Sequence, residues 1–235
     1  MAWRCTGATN AELVNNLFKH GIFHSERIAM AMNKADRANY VLDKAFAYED
    51  SPQYIGYDAT ISAPHMHAHA SEYLLPYLKP GAKVLDVGSG SGYLSAILYH
   101  LIGGPSGTQG KVVGIEHVPE LVDWSIKNLK KDGLGDAVEE GKIIMVAGDG
   151  RKGYPQEAPY DVIHVGAAAP TLPEPLLQQL ASPGRMFIPV GTTSQVILQV
   201  DKDQYGNVTK KELMGVMYVP LTDRFNIQTF ARDSE

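Results

Sequence analysis

Lys83-Val84-Leu85-Asp86-Val87-Gly88-Ser89-Gly90-Ser91-Gly92 is the stretch that decides the fold. Its apolar, β-branched start predicts a strand over 83–88, the glycines predict a tight loop, and Tyr93 to Leu101 follows as an apolar helix. In an open α/β sheet, ligands bind beyond the carboxyl ends of the strands, where glycine lets backbone approach a ligand without a Cβ in between. Gly88, Ser89, Gly90, Ser91 and Gly92 are therefore a candidate cradle. Their spacing is Gly-x-Gly-x-Gly, and Tyr93 stands where a dinucleotide fingerprint needs a small residue, so a dinucleotide is disfavoured.

Working outward, the chain alternates. Strands are expected at 111–116, 142–147, 161–166 and 185–190, with helices at 119–131, where Pro119 suits the first turn, and at 175–180. That rhythm gives right-handed βαβ crossovers, and hence an α/β, doubly wound, mostly parallel sheet of the Rossmann-like type. Residues 194–200 and 212–219 flank Tyr205-Gly206-Asn207, turn chemistry that predicts an antiparallel edge hairpin. Upstream, Thr9 with Glu12 and then Ser25 open two short helices within 9–37, Tyr48 to Ala63 has no sustained period and reads as a long irregular stretch, and a helix runs from Pro64 to about Leu78, with Pro76 expected to kink or shorten it. The expected organisation is a single domain: an N-terminal extension over 1–80, a core over 81–192, and a hairpin and tail over 193–235.

Composition narrows the function classes. At 235 residues with 44% hydrophobic and 20% charged residues, the chain is long enough for a sizeable core and is neither disordered nor a stapled mini-protein. One cysteine, Cys5, builds neither an internal disulfide nor a thiolate zinc site, so a cytoplasmic location is expected. No stretch reaches the roughly 18 to 20 apolar residues of a membrane span. A net charge of −5 argues against a general grip on nucleic acid. Monomer is the default expectation.

Acids at three strand ends carry the chemistry. Asp86 precedes the first glycine by two residues, where a carboxylate repels a pyrophosphate but suits a cationic ligand such as the amino group of a methionine moiety. Glu116, followed by His117, closes the next strand and can accept from both hydroxyls of a ribose. Asp149, followed by Gly150, closes the third and could accept from an adenine amino group. Singly, each acid is equally well a helix cap or turn residue. Together they favour S-adenosyl-L-methionine.

At these residues the sequence resembles the class I S-adenosylmethionine-dependent methyltransferases, and more closely the protein-L-isoaspartate (D-aspartate) O-methyltransferase family. The likeness covers nearly the whole chain through Asp36-Arg37, Ser51-Pro52-Gln53, Thr60-Ile61-Ser62-Ala63-Pro64-His65-Met66-His67-Ala68, the glycine loop, Gly148-Asp149-Gly150-Arg151, Ala158-Pro159-Tyr160-Asp161, the 163–170 segment, and Met214 to Asp223. The resemblance implies methyl transfer from S-adenosyl-L-methionine, leaving S-adenosyl-L-homocysteine, to the carboxyl of isoaspartyl peptides and proteins, which starts repair through a succinimide. It implies Ser62 as the active-site serine, cofactor contacts from Ala59, Thr60, Ile61, Ser62, His67, His117 and Thr222 beside the acids and the glycine loop, and a peptide site from Ala63, His65, Val165, Gly166, Ala167, Val219, Pro220 and Leu221.

A carboxylate with an ordinary pKa near 4 is ionised at neutral pH, so no general base is required and the protein's task is alignment. The Ser62 hydroxyl can orient one carboxylate oxygen by donating a hydrogen bond; it could equally cap the helix starting at Pro64. No Gly-x-Ser-x-Gly elbow surrounds it. His65 and His69, four apart on a helix, could share a metal ion, but nothing nearby completes a ligand set and none is expected. Asp58 departs from the family, which commonly carries a neutral polar residue there; a carboxylate at the mouth of an anion site would raise the apparent Michaelis constant. A methyltransferase of another carboxylate or small molecule, a metal-dependent hydrolase and a non-catalytic adaptor are the readings left open.

Overall fold

The computed structural model describes residues 5–104 and 110–221. Helix α1 (Asn10–Lys19) starts as expected: the Thr9 hydroxyl accepts from the Glu12 amide at 3.2 Å, and the Glu12 carboxylate reaches back to the Ala8 amide at 2.8 Å. Helix α2 (Glu26–Lys34) is capped by Ser25. The stretch expected to be irregular contains an antiparallel hairpin, β1 (Gln53–Gly56) with β2 (Ala59–Ile61), turning through Tyr57 and Asp58. Strands of four and three residues are too short to show a period, and the turn lacks the Asn-Gly signal that would betray it.

Helix α3 (Pro64–Leu74) stops two residues before Pro76. The proline ring disfavours helical backbone at Leu75 and cannot coexist with a carbonyl one turn back, so the expected run to Leu78 is cut short. There follow β3 (Lys83–Val87), α4 (Tyr93–Leu101), β4 (Lys111–Glu116), α5 (Pro119–Leu129), α6 (Gly135–Glu139), β5 (Ile143–Ala147), β6 (Tyr160–Val165), α7 (Glu174–Gln179), β7 (Leu180–Gly191), β8 (Gln195–Lys202) and β9 (Val208–Val216). The hairpin of β8 and β9 is tighter than expected because Asp203 Oδ1 accepts from the Tyr205 and Asn207 amides, both at 2.8 Å, closing the turn early.

The seven-stranded sheet has the order β5-β4-β3-β6-β7-β8-β9, parallel through β7 and antiparallel beyond it. Alternate residues of the strands feed two cores. Val84, Val112, Val162 and Phe187 pack on the face of α4 with Leu94, Ile97 and Leu98, whereas Leu85, Val113, Ile163 and Met186 pack with Leu176 of α7. Each such side chain contributes about 1.5–3 kcal/mol on leaving water.

Strand order reverses between β3 and β6, and this switch point is where a doubly wound sheet opens a crevice. Gly166, just past β6, donates to the Val87 carbonyl at 2.7 Å, and a Cβ there would stand 3.1 Å from the Gly88 carbonyl. The helical head is latched to the segment between α5 and α6 by Asp132, which accepts from Asn39 Nδ2 at 2.6 Å, the Tyr40 hydroxyl at 2.7 Å and the Asp36 amide at 3.3 Å.

Candidate active site

Three adjoining cavities occupy the crevice. The first is narrow and is lined by Ile61, Ser62, Met66, His67, Asp86, Ser89, Ser91, Tyr93 and His164 among others. The second, of about 310 Å³, is walled by Tyr57, Asp58, Ala59, Glu116, His117, Ala167, Pro220 and Leu221. The third, of about 530 Å³, is walled by Pro52, Ala63, His65 and the chain from Gly215 to Val219. Gly88 and Gly90 border the first two, Ser62 and Tyr218 the first and third, and Thr60 and Gly166 all three.

The glycine loop is held from two sides. The Gly88 amide donates to the Ile115 carbonyl at 2.8 Å, and the Gly90 amide to Glu116 Oε2 at 3.0 Å. Gly92, at φ +84°, is the left-handed residue from which α4 starts; a Cβ there would lie 3.2 Å from that of Ser125. Glu116 Oε1 also accepts from the His117 and Val118 amides at 2.8 and 3.2 Å. The carboxylate is thereby fixed at the end of β4, and Oε2, with one lone pair used, can still accept on the cavity side.

Asp86 is almost wholly buried, with His164 as its register partner on β6. His164 Nδ1 lies 2.8 Å from Oδ1, and the Ser95 hydroxyl donates to Oδ2 at 2.6 Å. This carboxylate is thus a fixed negative charge behind the loop, with both oxygens already engaged by the protein. His67 is buried on α3, its ring edge-on to Tyr93 at 5.1 Å. Burial, with Arg37, His164 and His65 nearby, holds its pKa well below the ordinary histidine value, so it is neutral at physiological pH.

Ser62 caps nothing: Ala63 is the N-cap of α3 and offers no side-chain bond. The cap comes from fifteen residues upstream, where the fully buried Asp50 accepts from the His65 amide at 2.9 Å and from His65 Nδ1 at 2.8 Å. His65 is thereby tied to a carboxylate, and among the described residues no group of three or more His, Cys, Asp or Glu side chains could hold a metal ion. The Ser62 hydroxyl is freed for the cavities. It hydrogen-bonds Tyr218, whose phenol burial pushes up to about 12. The Ser62 carbonyl accepts from Arg37 Nη2 at 2.9 Å, and the same nitrogen lies 3.4 Å from the Ser51 carbonyl. Arg37 has no exposed surface, sits against the Tyr93 ring at 5.2 Å, and has its pKa pulled down by burial to about 10, which leaves it cationic at neutral pH.

The structure brings most of the sequence-selected residues together, with exceptions that have physical causes. Val165 is core, packed inside β6. Ala167, Pro220 and Leu221, expected beside a peptide, wall the second cavity instead, because Ala168 donates to the Val219 carbonyl and accepts from the Leu221 amide, both at 2.8 Å, which draws the chain across that edge. Asp149 is gripped by Arg151, through Nε at 2.8 Å and Nη2 at 2.9 Å, which lowers its pKa, and it lines none of the three cavities; Gly150 backs onto Val87 and Leu221. Asp58, placed by expectation at the peptide mouth, lines the second cavity. Thr222 lies outside the described residues. Tyr93, His164 and Tyr218 were not named as site residues: the first two read as ordinary core residues in periodic elements, and the last has no local signal.

Comparison with known proteins bears on the sequence and the fold. The sequence profile of the protein-L-isoaspartate(D-aspartate) O-methyltransferase (PCMT) family matches residues 8–226. Protein-L-isoaspartate O-methyltransferase 1 of Arabidopsis thaliana is 49% identical over 215 residues, 92% of each chain. The Caenorhabditis elegans protein-L-isoaspartate O-methyltransferase is 48% identical, with 95% of this chain and 97% of that one aligned. A Plasmodium falciparum protein-L-isoaspartate O-methyltransferase, solved in complex with S-adenosyl-L-homocysteine, superposes with a TM-score of 0.85 at 32% identity, covering 92% of this chain and 99% of the other.

Proposed function

From the premise that the chain belongs to the protein-L-isoaspartate(D-aspartate) O-methyltransferase family, we propose that it methylates the free carboxyl of L-isoaspartyl and D-aspartyl residues in damaged peptides and proteins. It is an S-adenosyl-L-methionine-dependent protein carboxyl O-methyltransferase, with S-adenosyl-L-homocysteine as the product of its cofactor. The bound cofactor supplies an electrophilic methyl on a cationic sulfur.

The residues present fit it. His67 Nδ1 and Ser89 Oγ are buried on the first cavity with no hydrogen-bond partner among the described residues, as befits a pocket for a polar amino-acid tail. Asp86, behind them, supplies the compensating negative charge. Ser91 and the Gly88–Gly90 backbone line the same pocket, and Glu116 with His117 would take the ribose in the second cavity, beside Ala59 and Ala167. Asp149 is kept as an acceptor for the adenine amino group, and Gly150 beside it as a cofactor contact.

The observation that carries the reading is the joint of the three cavities at Thr60 and Gly166. An amino-acid tail in the first, a nucleoside in the second and a peptide in the third would meet there. Ser62, its main chain pinned by Arg37, donates to one oxygen of the substrate carboxylate and turns the other toward the joint. No proton has to be moved, since the carboxylate is ionised. Alignment of such partners supplies about 7–11 kcal/mol of barrier reduction. Ala63, His65, Gly166 and Val219 would border the peptide. The methyl ester so formed carries methoxide, a better leaving group than the oxygen of an ionised carboxylate, so the neighbouring peptide nitrogen attacks the ester carbonyl, methanol departs as the succinimide closes, and hydrolysis of that ring returns part of the chain to the normal linkage. The setting we propose is the cytoplasm, supported by the single, buried cysteine.

The test is transfer of labelled methyl to paired peptides that differ only in aspartyl or isoaspartyl linkage. Base-labile label in the isoaspartyl peptide alone is expected. Equal labelling of both, or none, would overturn the substrate assignment.

A further inference from the structure

The β1–β2 turn stands out from the rest of the site. Tyr57 and Asp58 have φ of +55° and +54°, and they are the only non-glycine residues with positive φ among those described. The left-handed region is unfavourable for a bulky aromatic residue, and a two-residue hairpin loop of this hand ordinarily takes Asn-Gly. Strain of this kind persists where the surroundings over-determine it, and it clusters at ligand contacts. Both residues line the cavity that holds Glu116 and His117, across from the end of β4. Tyr57 leaves about half of its surface exposed, a large aromatic surface at the mouth of a largely apolar cavity.

We propose that the Tyr57–Asp58 turn is a cofactor-selecting element: Tyr57 covers the nucleoside, and the Asp58 carboxylate favours the cationic sulfonium cofactor over its neutral sulfide product. This rests on the reading of the second cavity as the nucleoside end. Cofactor and product share every hydrogen-bonding group and differ by a methyl and one positive charge, so hydrogen bonds hold both alike and a nearby fixed charge separates them. Asp58 is exposed, which makes the effect modest and dependent on ionic strength. Its physical use is product release: an enzyme that binds both forms equally is throttled by the product it makes.

Titration calorimetry of S-adenosyl-L-methionine and S-adenosyl-L-homocysteine into the full chain tests this, at low and high salt. Asp58→Asn is expected to weaken the cofactor by about threefold and leave the product unchanged, with the difference shrinking in salt. Tyr57→Ala is expected to weaken both alike. Replacing the turn by Tyr57→Asn with Asp58→Gly relaxes the backbone, so the ligand-free chain should melt higher while binding both ligands less tightly. Asp58→Asn weakening both ligands equally, or neither, overturns the selection. Glu116→Gln is the control: if it leaves both affinities unchanged, the nucleoside reading of the cavity fails, and the proposal with it.

Discussion

Replacing Ser62 by Ala removes one hydroxyl, and with it the hydrogen bond to Tyr218. The main chain is held by the 2.9 Å bond from Arg37 to the Ser62 carbonyl and by the buried Ile61 and Ala63 on either side, so the backbone has no reason to shift. Ser62 caps no helix, hence the fold loses no capping energy. What is lost is a donor to an ionised carboxylate in a partly buried site, worth about 1.5–3 kcal/mol. If that bond is present in the transition state, kcat/KM for an isoaspartyl peptide falls by about 10- to 150-fold. Turnover carries part of the loss, because an oxygen no longer pinned is misaligned with the methyl. The assay is initial-rate kinetics over peptide concentration at saturating cofactor, with calorimetry of S-adenosyl-L-homocysteine on the same preparations. Cofactor affinity should stay within about twofold, since backbone and other side chains furnish the remaining contacts. Unchanged kcat/KM would refute the role of Ser62, and a parallel loss of cofactor affinity would move it to the amino-acid tail.

Arg37→Met removes a buried cation that donates to Ser62 and leaves Asp50 without a compensating charge, so a loss of about 3–5 kcal/mol is expected, a drop of about 6–20 °C in Tm by calorimetry. A double-mutant cycle with Asp50→Asn should show the pair less destabilised than the sum of the singles; simple additivity would deny the coupling. Asp132→Ala strands Asn39 and Tyr40 and should cost about 2 kcal/mol by denaturant titration, with no change in peptide selectivity. His67 has a pKa below that of the unfolded chain, so the unfolded state takes up a proton first: stability is undiminished above pH of about 6.5 and falls as pH drops below it, and His67→Asn should flatten that fall.

Legibility varied with the range of the signal. The β3-loop-α4 unit could be read because strand period, glycine spacing and helix period lie within one window of chain. The hairpin at 53–61 could not, as its strands are shorter than a period and its turn breaks the residue rule that would reveal it. Site residues divided along the same line. Glu116 and the glycines announce themselves by position at a strand end. Asp50 does not, because its job, capping α3 and holding His65, exists only once fifteen residues have folded back. Tyr218 likewise meets Ser62 only through the sheet's edge. Asp149 illustrates the converse: an acid in the expected place was taken by a local partner, Arg151, two residues away.

Charge placement around the joint has a mechanistic logic. An anionic oxygen and a cationic sulfur enter the reaction and two neutral groups leave, so charge vanishes on the way to the transition state. Any fixed charge pointed at the joint would stabilise one reactant more than the transition state, and would slow the step. The joint itself is a threonine and a glycine, with Ser62 beside it and, in the first cavity, a histidine kept neutral by its burial. Apart from Asp58, exposed at the mouth of the second cavity, the charges are set back and engaged: Asp86 by Ser95 and His164, Glu116 by three backbone amides, and Asp50 by His65 with Arg37 nearby. Set back in this way they can attract the partners into their cavities without holding them there as ions. A lysine or aspartate introduced at Thr60 should accordingly slow the chemical step by more than it changes either binding constant, a difference that single-turnover kinetics resolves; equal effects on binding and chemistry would show that charge at the joint is tolerated.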